Sequence, residues 1–172
     1  MVAQVRQELI DWSCPMSTLA TDSSQSTSTL TILIIDDNEA DLQYWSGVIR
    51  NFPAQYKVLN ARTCKSGVAM CRNETVDCVL LDLDMPESGF LSLFELIPNP
   101  KRPSIPVVIL SRLSHPYLAE VTRQNGAQGW LLKDRTSADE LQCAIQQAMT
   151  TVNPERGSRE HSIQIMSNNG RP

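Results

Sequence analysis

Asp36 and Asp37 close the aliphatic run Ile32-Leu33-Ile34-Ile35. That order is costly for a strand with no use for charge, because carboxylates are rarely buried without a partner. Three more aliphatic runs end the same way: "VLLD" on Asp82, "VVILS" on Ser111 and "WLLK" on Lys133. Two carboxylates about 4 Å apart repel by roughly 4 kcal/mol at an effective dielectric of about 20, so a set of three calls for a cation. A hard divalent ion meets that need, and magnesium takes carboxylate, water and phosphate oxygens. Asp36, Asp37 and Asp82 are therefore candidate metal ligands, with Ser111 and Lys133 as donors beside them.

Other residues with chemical potential read more simply. His115 lies in the turn "SHP" and His161 in a polar stretch, so both read as isolated surface histidines. The five cysteines lack paired metal-ligand spacing and read as small buried hydrophobes in a reducing cytosol. A net charge of −4 without any run of Lys or Arg points away from nucleic acid as a direct partner. No apolar run reaches the length of a membrane span, and the first thirty residues lack a signal peptide's apolar stretch. The expectation is a cytoplasmic protein without membrane contact.

The elements that must position the polar ends follow from periodicity. Runs at Thr31 to Ile35, Tyr56 to Asn60, Cys78 to Leu81, Ile105 to Leu110 and Gly129 to Leu132 mostly lack polar alternation, as strands buried on both faces do. Between them, Leu42, Trp45 and Ile49 recur at helical spacing. So do Phe90, Leu93, Phe94 and Ile97, and later Leu141, Ala144, Ile145, Ala148 and Met149. Val68 with Cys71, and Leu118 with Val121, give weaker helical patterns. Strand and helix in alternation, joined by right-handed crossovers, predict an α/β fold: a doubly wound, five-stranded parallel sheet with helices on both faces. In such sheets ligands sit at the carboxyl ends of the strands, where the polar residues stand. The segment 1–29, with its Ser/Thr-rich stretch "STLATDSSQSTST", reads as a flexible extension. The domain is expected over 30–150 and a flexible tail over 151–172.

"IIDDNEADL", "VLLDLDMPESG", "VVILS" and "GAQGWLLKD" resemble, in order and spacing, the motifs of the response-regulator receiver domain of two-component signalling. The resemblance implies a flavodoxin-like fold and a phosphoacceptor switch in place of an enzyme. Asp82 would accept a phosphoryl group from a histidine kinase or a histidine phosphotransfer protein. Asp37, Asp82 and the backbone carbonyl of Asp84 would ligate Mg2+ directly, with Asp36 acting through water. Lys133 would pair with the phosphoryl oxygens, Ser111 would hydrogen-bond to one of them, and Trp130 would occupy the place of the aromatic that follows the hydroxyl inward. The output would be a surface for a downstream protein target, and homodimerisation stays open.

Several residues depart from the common pattern. Arg112 replaces the small residue that usually follows the switch hydroxyl, where it would either shield the phosphoryl group, pair with Asp84 or point to solvent. Asp84 itself reads either as a loop charge or as a group reaching water near the phosphoryl site. Lys133 is followed by Asp134 and not by proline, and "GWLLKD" resembles the receivers of NarL- or LuxR-type regulators. Two alternatives remain: a pseudo-receiver that docks without phosphorylation, and a haloacid-dehalogenase-type phosphatase suggested by "LLDLD", whose acidic pair precedes the nucleophile where that family's follows it.

Overall fold

The computed structural model describes residues 29–86 and 89–153. The N-terminal extension to residue 28, Cys14, His161 and the expected tail from residue 154 lie outside the described residues. Strand and helix alternate as β1 (Leu30–Ile35), α1 (Glu39–Arg50), β2 (Tyr56–Ala61), α2 (Cys64–Asn73), β3 (Cys78–Asp82), α3 (Gly89–Leu96), β4 (Val107–Ser111), α4 (Pro116–Gln124), β5 (Gly129–Leu132) and α5 (Ala138–Val152). The strands pair in the order β2-β1-β3-β4-β5, every neighbour parallel, giving the doubly wound sheet.

The unbroken aliphatic runs have the burial they predict. On one face Ile32, Ile34, Leu80, Val108 and Leu110 pack with Leu42, Trp45 and Ile49 of α1 and with Leu141, Ile145 and Met149 of α5. On the other, Leu33, Ile35, Val79, Leu81 and Ile109 pack with Val68 of α2 and Leu93 of α3. Each fully buried aliphatic side chain contributes about 1.5–3 kcal/mol, and the central strands bury them on both sides. Local signals fix where the helices start: the Asn38 side chain accepts from the N–H groups of Ala40 and Asp41, and Ser137 with Glu140 forms a capping box on α5.

Three details differ from the periodic reading. Strand β4 begins at Val107 and not at Ile105, because Pro106 has no N–H to give the ladder, although its carbonyl still accepts from Val79 N at 2.9 Å. Phe94 faces solvent, 43% exposed, while Leu93 and Ile97 turn to the core. In α4, Leu118 and Val121 are half-buried and the buried residue is Thr122, whose hydroxyl bonds back to the Leu118 and Ala119 carbonyls.

Register carries the polar ends to one level. Ile35 pairs with Leu81, Leu81 with Ile109, and Ile109 with Trp130. One residue further on, Asp36 follows β1 while Asp82 lies opposite Leu110; one further again, Ser111 lies opposite Leu132 with Lys133 next.

Two glycines differ in how tightly they are packed. A Cβ on Gly89 would run into the backbone carbonyl oxygen of Leu83 and lie 2.9 Å from its carbon, in the segment directly after Asp82. Gly89→Ala should cost about 1–3 kcal/mol, read as a lower urea midpoint. Gly47 in α1 has nothing within 4 Å of such a Cβ, so Gly47→Ala should instead raise stability by about 0.5–1 kcal/mol.

Candidate functional site: carboxylates around a buried lysine

The sheet's carboxyl edge gathers five acidic residues, Asp36, Asp37, Asp41, Asp82 and Asp84, around Lys133 and Arg112. Lys133 comes from the end of β5, held by its own N–H to the Ser111 carbonyl at 2.9 Å. Its side chain is 3% exposed, with Nζ 2.6 Å from Asp36 Oδ2, 2.8 Å from Asp41 Oδ2 and 3.2 Å from Asp82 Oδ2. Burial pulls the ammonium's pKa down, but the hydrogen bonds it donates to Asp36 and Asp41 and the charges of Asp82 and Asp36 outweigh it and hold the pKa above its usual value.

Asp36 is fully buried and bonded at both oxygens, since Oδ1 accepts from Asn38 N at 2.9 Å. Asp37 is exposed. Asp82, the last residue of β3, accepts from Asp84 N at 3.0 Å through Oδ1. Its carboxyl pKa is pushed up to about 6, chiefly by burial and also by the Asp36 charge, against the lowering effects of the Asp84 N–H and Lys133. Asp36, Asp37 and Asp82 each offer a carboxylate oxygen, all within 4.8 Å of one another. An all-oxygen acidic set at that spacing fits a hard divalent cation.

Asp41 was not singled out by sequence. As the third residue of α1 it reads as an ordinary first-turn acid favoured by the helix dipole. In the fold it bridges two cations: Oδ2 takes Lys133 at 2.8 Å and Arg112 Nη2 at 2.6 Å. Burial raises its carboxyl pKa, yet those two partners outweigh the effect and hold it below the usual carboxylate range.

Arg112 and Asp84 meet through the Arg112 backbone and not as a side-chain pair, one of the alternatives open for this arginine. Asp84 accepts from Ser111 Oγ and from the backbone N–H of Arg112, each at 2.6 Å. Both its oxygens are engaged by the loop after β4, so the Arg112 guanidinium reaches across to Asp41, neither bonding the Asp84 side chain nor standing free in solvent. Trp130 lies on β5 opposite Ile109, half-buried against the core on the α2 and α3 side. His115, exposed at the start of α4, takes no part.

A family model for the response regulator receiver domain matches residues 32–146. The chain belongs to that family. The receiver is 30% identical over 112 residues to a probable cyclic di-GMP phosphodiesterase of Vibrio cholerae, covering 64% of this chain and 25% of that protein. It is 30% identical over 103 residues to the protein PilH of Pseudomonas aeruginosa, covering 59% of this chain and 84% of PilH. Among solved structures, a response regulator receiver domain protein from Clostridium thermocellum matches with a TM-score of 0.60 at 26% identity, over 74% of this chain and 97% of that one. The match thus spans most of PilH and about a quarter of the larger relative. Among the described residues no helix is long and apolar enough to cross a membrane.

The raised pKa of Asp82 has a consequence for stability. Because its folded value of about 6 lies above the ordinary 3.8, the native state loses stability relative to the unfolded chain as pH rises from about 4 to 6, and the deficit stays constant above that. Asp82→Asn keeps an acceptor for Asp84 N without the charge. In metal-free buffer at pH 7 it should be more stable than wild type by about 1 kcal/mol, a figure reduced for solvent screening. The gain should vanish below about pH 4, as read by urea melts across pH.

Proposed function

We propose that the chain is a phosphoacceptor switch: Asp82 takes a phosphoryl group from a histidine kinase or histidine phosphotransfer protein, and the change is read by a downstream protein target. The observation that carries this reading is the buried Asp82 carboxylate at the end of β3, in contact with Lys133 and beside Asp36 and Asp37. Phosphoryl transfer needs an in-line nucleophile and charge neutralisation more than acid–base machinery, and this set supplies both. One oxygen of Asp82 attacks phosphorus while the bond to the donor's leaving group breaks. Lys133 exchanges a carboxylate for a phosphoryl oxygen, and Ser111 turns its hydroxyl to another.

Asp37, Asp82 and the Asp84 carbonyl would hold Mg2+, with Asp36 acting through water, and the ion would neutralise charge on the phosphoryl oxygens. Trp130, on β5, would follow the hydroxyl inward and pass its movement to the protein surface. The motif "GWLLKD" supports a kinship with NarL- or LuxR-type receivers within the family. A phosphatase reading of "LLDLD" finds no support in Asp84, which accepts two hydrogen bonds where that chemistry asks for a proton donor.

Incubation with acetyl phosphate should add one phosphoryl group in intact-mass spectra when Mg2+ is present and none when it is chelated, and Asp82→Asn should stay unlabelled. An unchanged mass for folded wild-type protein would favour a pseudo-receiver. Arg112, tethered to Asp41 over the site, would shield the aspartyl phosphate from water. Arg112→Ala should then be labelled normally and lose the phosphate about tenfold faster, roughly 1.4 kcal/mol of barrier. An equal or longer lifetime would discard the shield and leave the switch intact.

A further inference from the structure

The hydroxyl of Ser111 is already in use. Ser111 is fully buried, and Oγ donates to Asp84 Oδ1 at 2.6 Å while accepting from Leu113 N at 3.0 Å. A serine hydroxyl has one proton, so it cannot bond Asp84 and a phosphoryl oxygen on Asp82 together. The other Asp84 oxygen binds Arg112 N at 2.6 Å, and the backbone N–H of Asp84 binds Asp82 Oδ1 at 3.0 Å. One residue thus joins the nucleophile, through its main chain, to the loop after β4, through its side chain. Leu83 N bonds the Leu110 carbonyl at 3.0 Å, carrying the β3–β4 ladder past Asp82 and fixing the distance between them.

We propose that Asp84 is a positioning residue that latches Ser111 in the unphosphorylated state, and that modification of Asp82 opens the latch by drawing the Ser111 proton to a phosphoryl oxygen. The inference rests on the phosphoacceptor reading. No covalent bond changes in this step; one hydrogen bond is exchanged for another. A phosphoryl dianion can win the exchange because it brings more charge and three strong acceptor oxygens, and it also repels the Asp84 carboxylate nearby. The latch needs a carboxylate: asparagine would keep one oxygen but set an NH2 group against the other donor. Asp84→Asn should therefore act as a half-open latch and Asp84→Ala as an open one.

Two measurements test this. In metal-free protein, the Arg112 and Leu113 amides should exchange with deuterium faster in Asp84→Ala than in wild type, while the Lys133 amide keeps its protection; unchanged exchange at Arg112 and Leu113 would overturn the latch. The second measures Mg2+-dependent binding of beryllofluoride, a phosphoryl mimic, with thermal melts confirming that each variant is folded. Asp84→Ala should bind about tenfold more tightly than wild type, the scale of one hydrogen bond to a charged group, with Asp84→Asn between them. In a Ser111→Ala background the same change should alter affinity by less than about twofold. Weaker or equal binding by Asp84→Ala would make its role merely structural, overturning the latch while the phosphoacceptor reading stands. Equal tightening with and without Ser111 would reduce the effect to charge repulsion and also overturn it. No binding by wild type or by any variant would sink both readings together.

Discussion

The ammonium of Lys133 is the interaction on which the site turns. A lysine 3% exposed survives inside a fold only when carboxylates repay its lost hydration, and here Asp36, Asp41 and Asp82 supply its three partners. They arrive from the carboxyl ends of β1 and β3 and from the first turn of α1, so this one cation ties three elements to β5. The dependence runs both ways: without Lys133 the buried Asp36 and Asp82 would face each other as unscreened like charges.

That arrangement is only as precise as the sheet beneath it. Side chains in alternate registers of β1, β3 and β4 feed two separate aliphatic layers, one against α1 and α5 and one against α2 and α3. A slip of one residue in any central strand would exchange those layers and move Asp82 or Ser111 away from Lys133. The unbroken runs of Ile, Leu and Val are therefore what keeps the polar ends level. The close approach of Gly89 to the Leu83 carbonyl fixes the exit from β3 in the same way.

How much of this was legible in sequence follows from the range of each signal. The sheet and its helices could be read because burial on two faces leaves unbroken aliphatic runs, and because capping residues such as Asn38 and Ser137 act within a few positions. Asp36, Asp37, Asp82, Ser111 and Lys133 stood out because each interrupts such a run at its end. Asp41 did not, since an acid in the first turn of a helix has a sufficient local explanation, and its contact with Lys133 spans 92 residues. The partners of the Asp84 side chain were not legible for a related reason: which donors it meets depends on the path of the chain after β4, which residue types do not specify. Phe94 shares the helical spacing of α3 yet stays exposed, because only the Leu93 side of that helix faces the core.

Asp41 and Arg112 gain meaning from the donor count of Lys133. An ammonium has three N–H donors, and here it hydrogen-bonds Asp36 and Asp41 and pairs with Asp82 at 3.2 Å, so in the proposed switch one of these three carboxylates gives way when Lys133 takes a phosphoryl oxygen. Asp36 is the expensive one to release, because its side chain is fully buried and would be left with an uncompensated charge. Asp82 is itself the group being modified. Asp41 is 18% exposed and already bonded to Arg112, so it can surrender Lys133 and keep a cation. An arginine beside the switch hydroxyl, unusual in the sequence pattern, thereby makes the third partner of the buried lysine exchangeable.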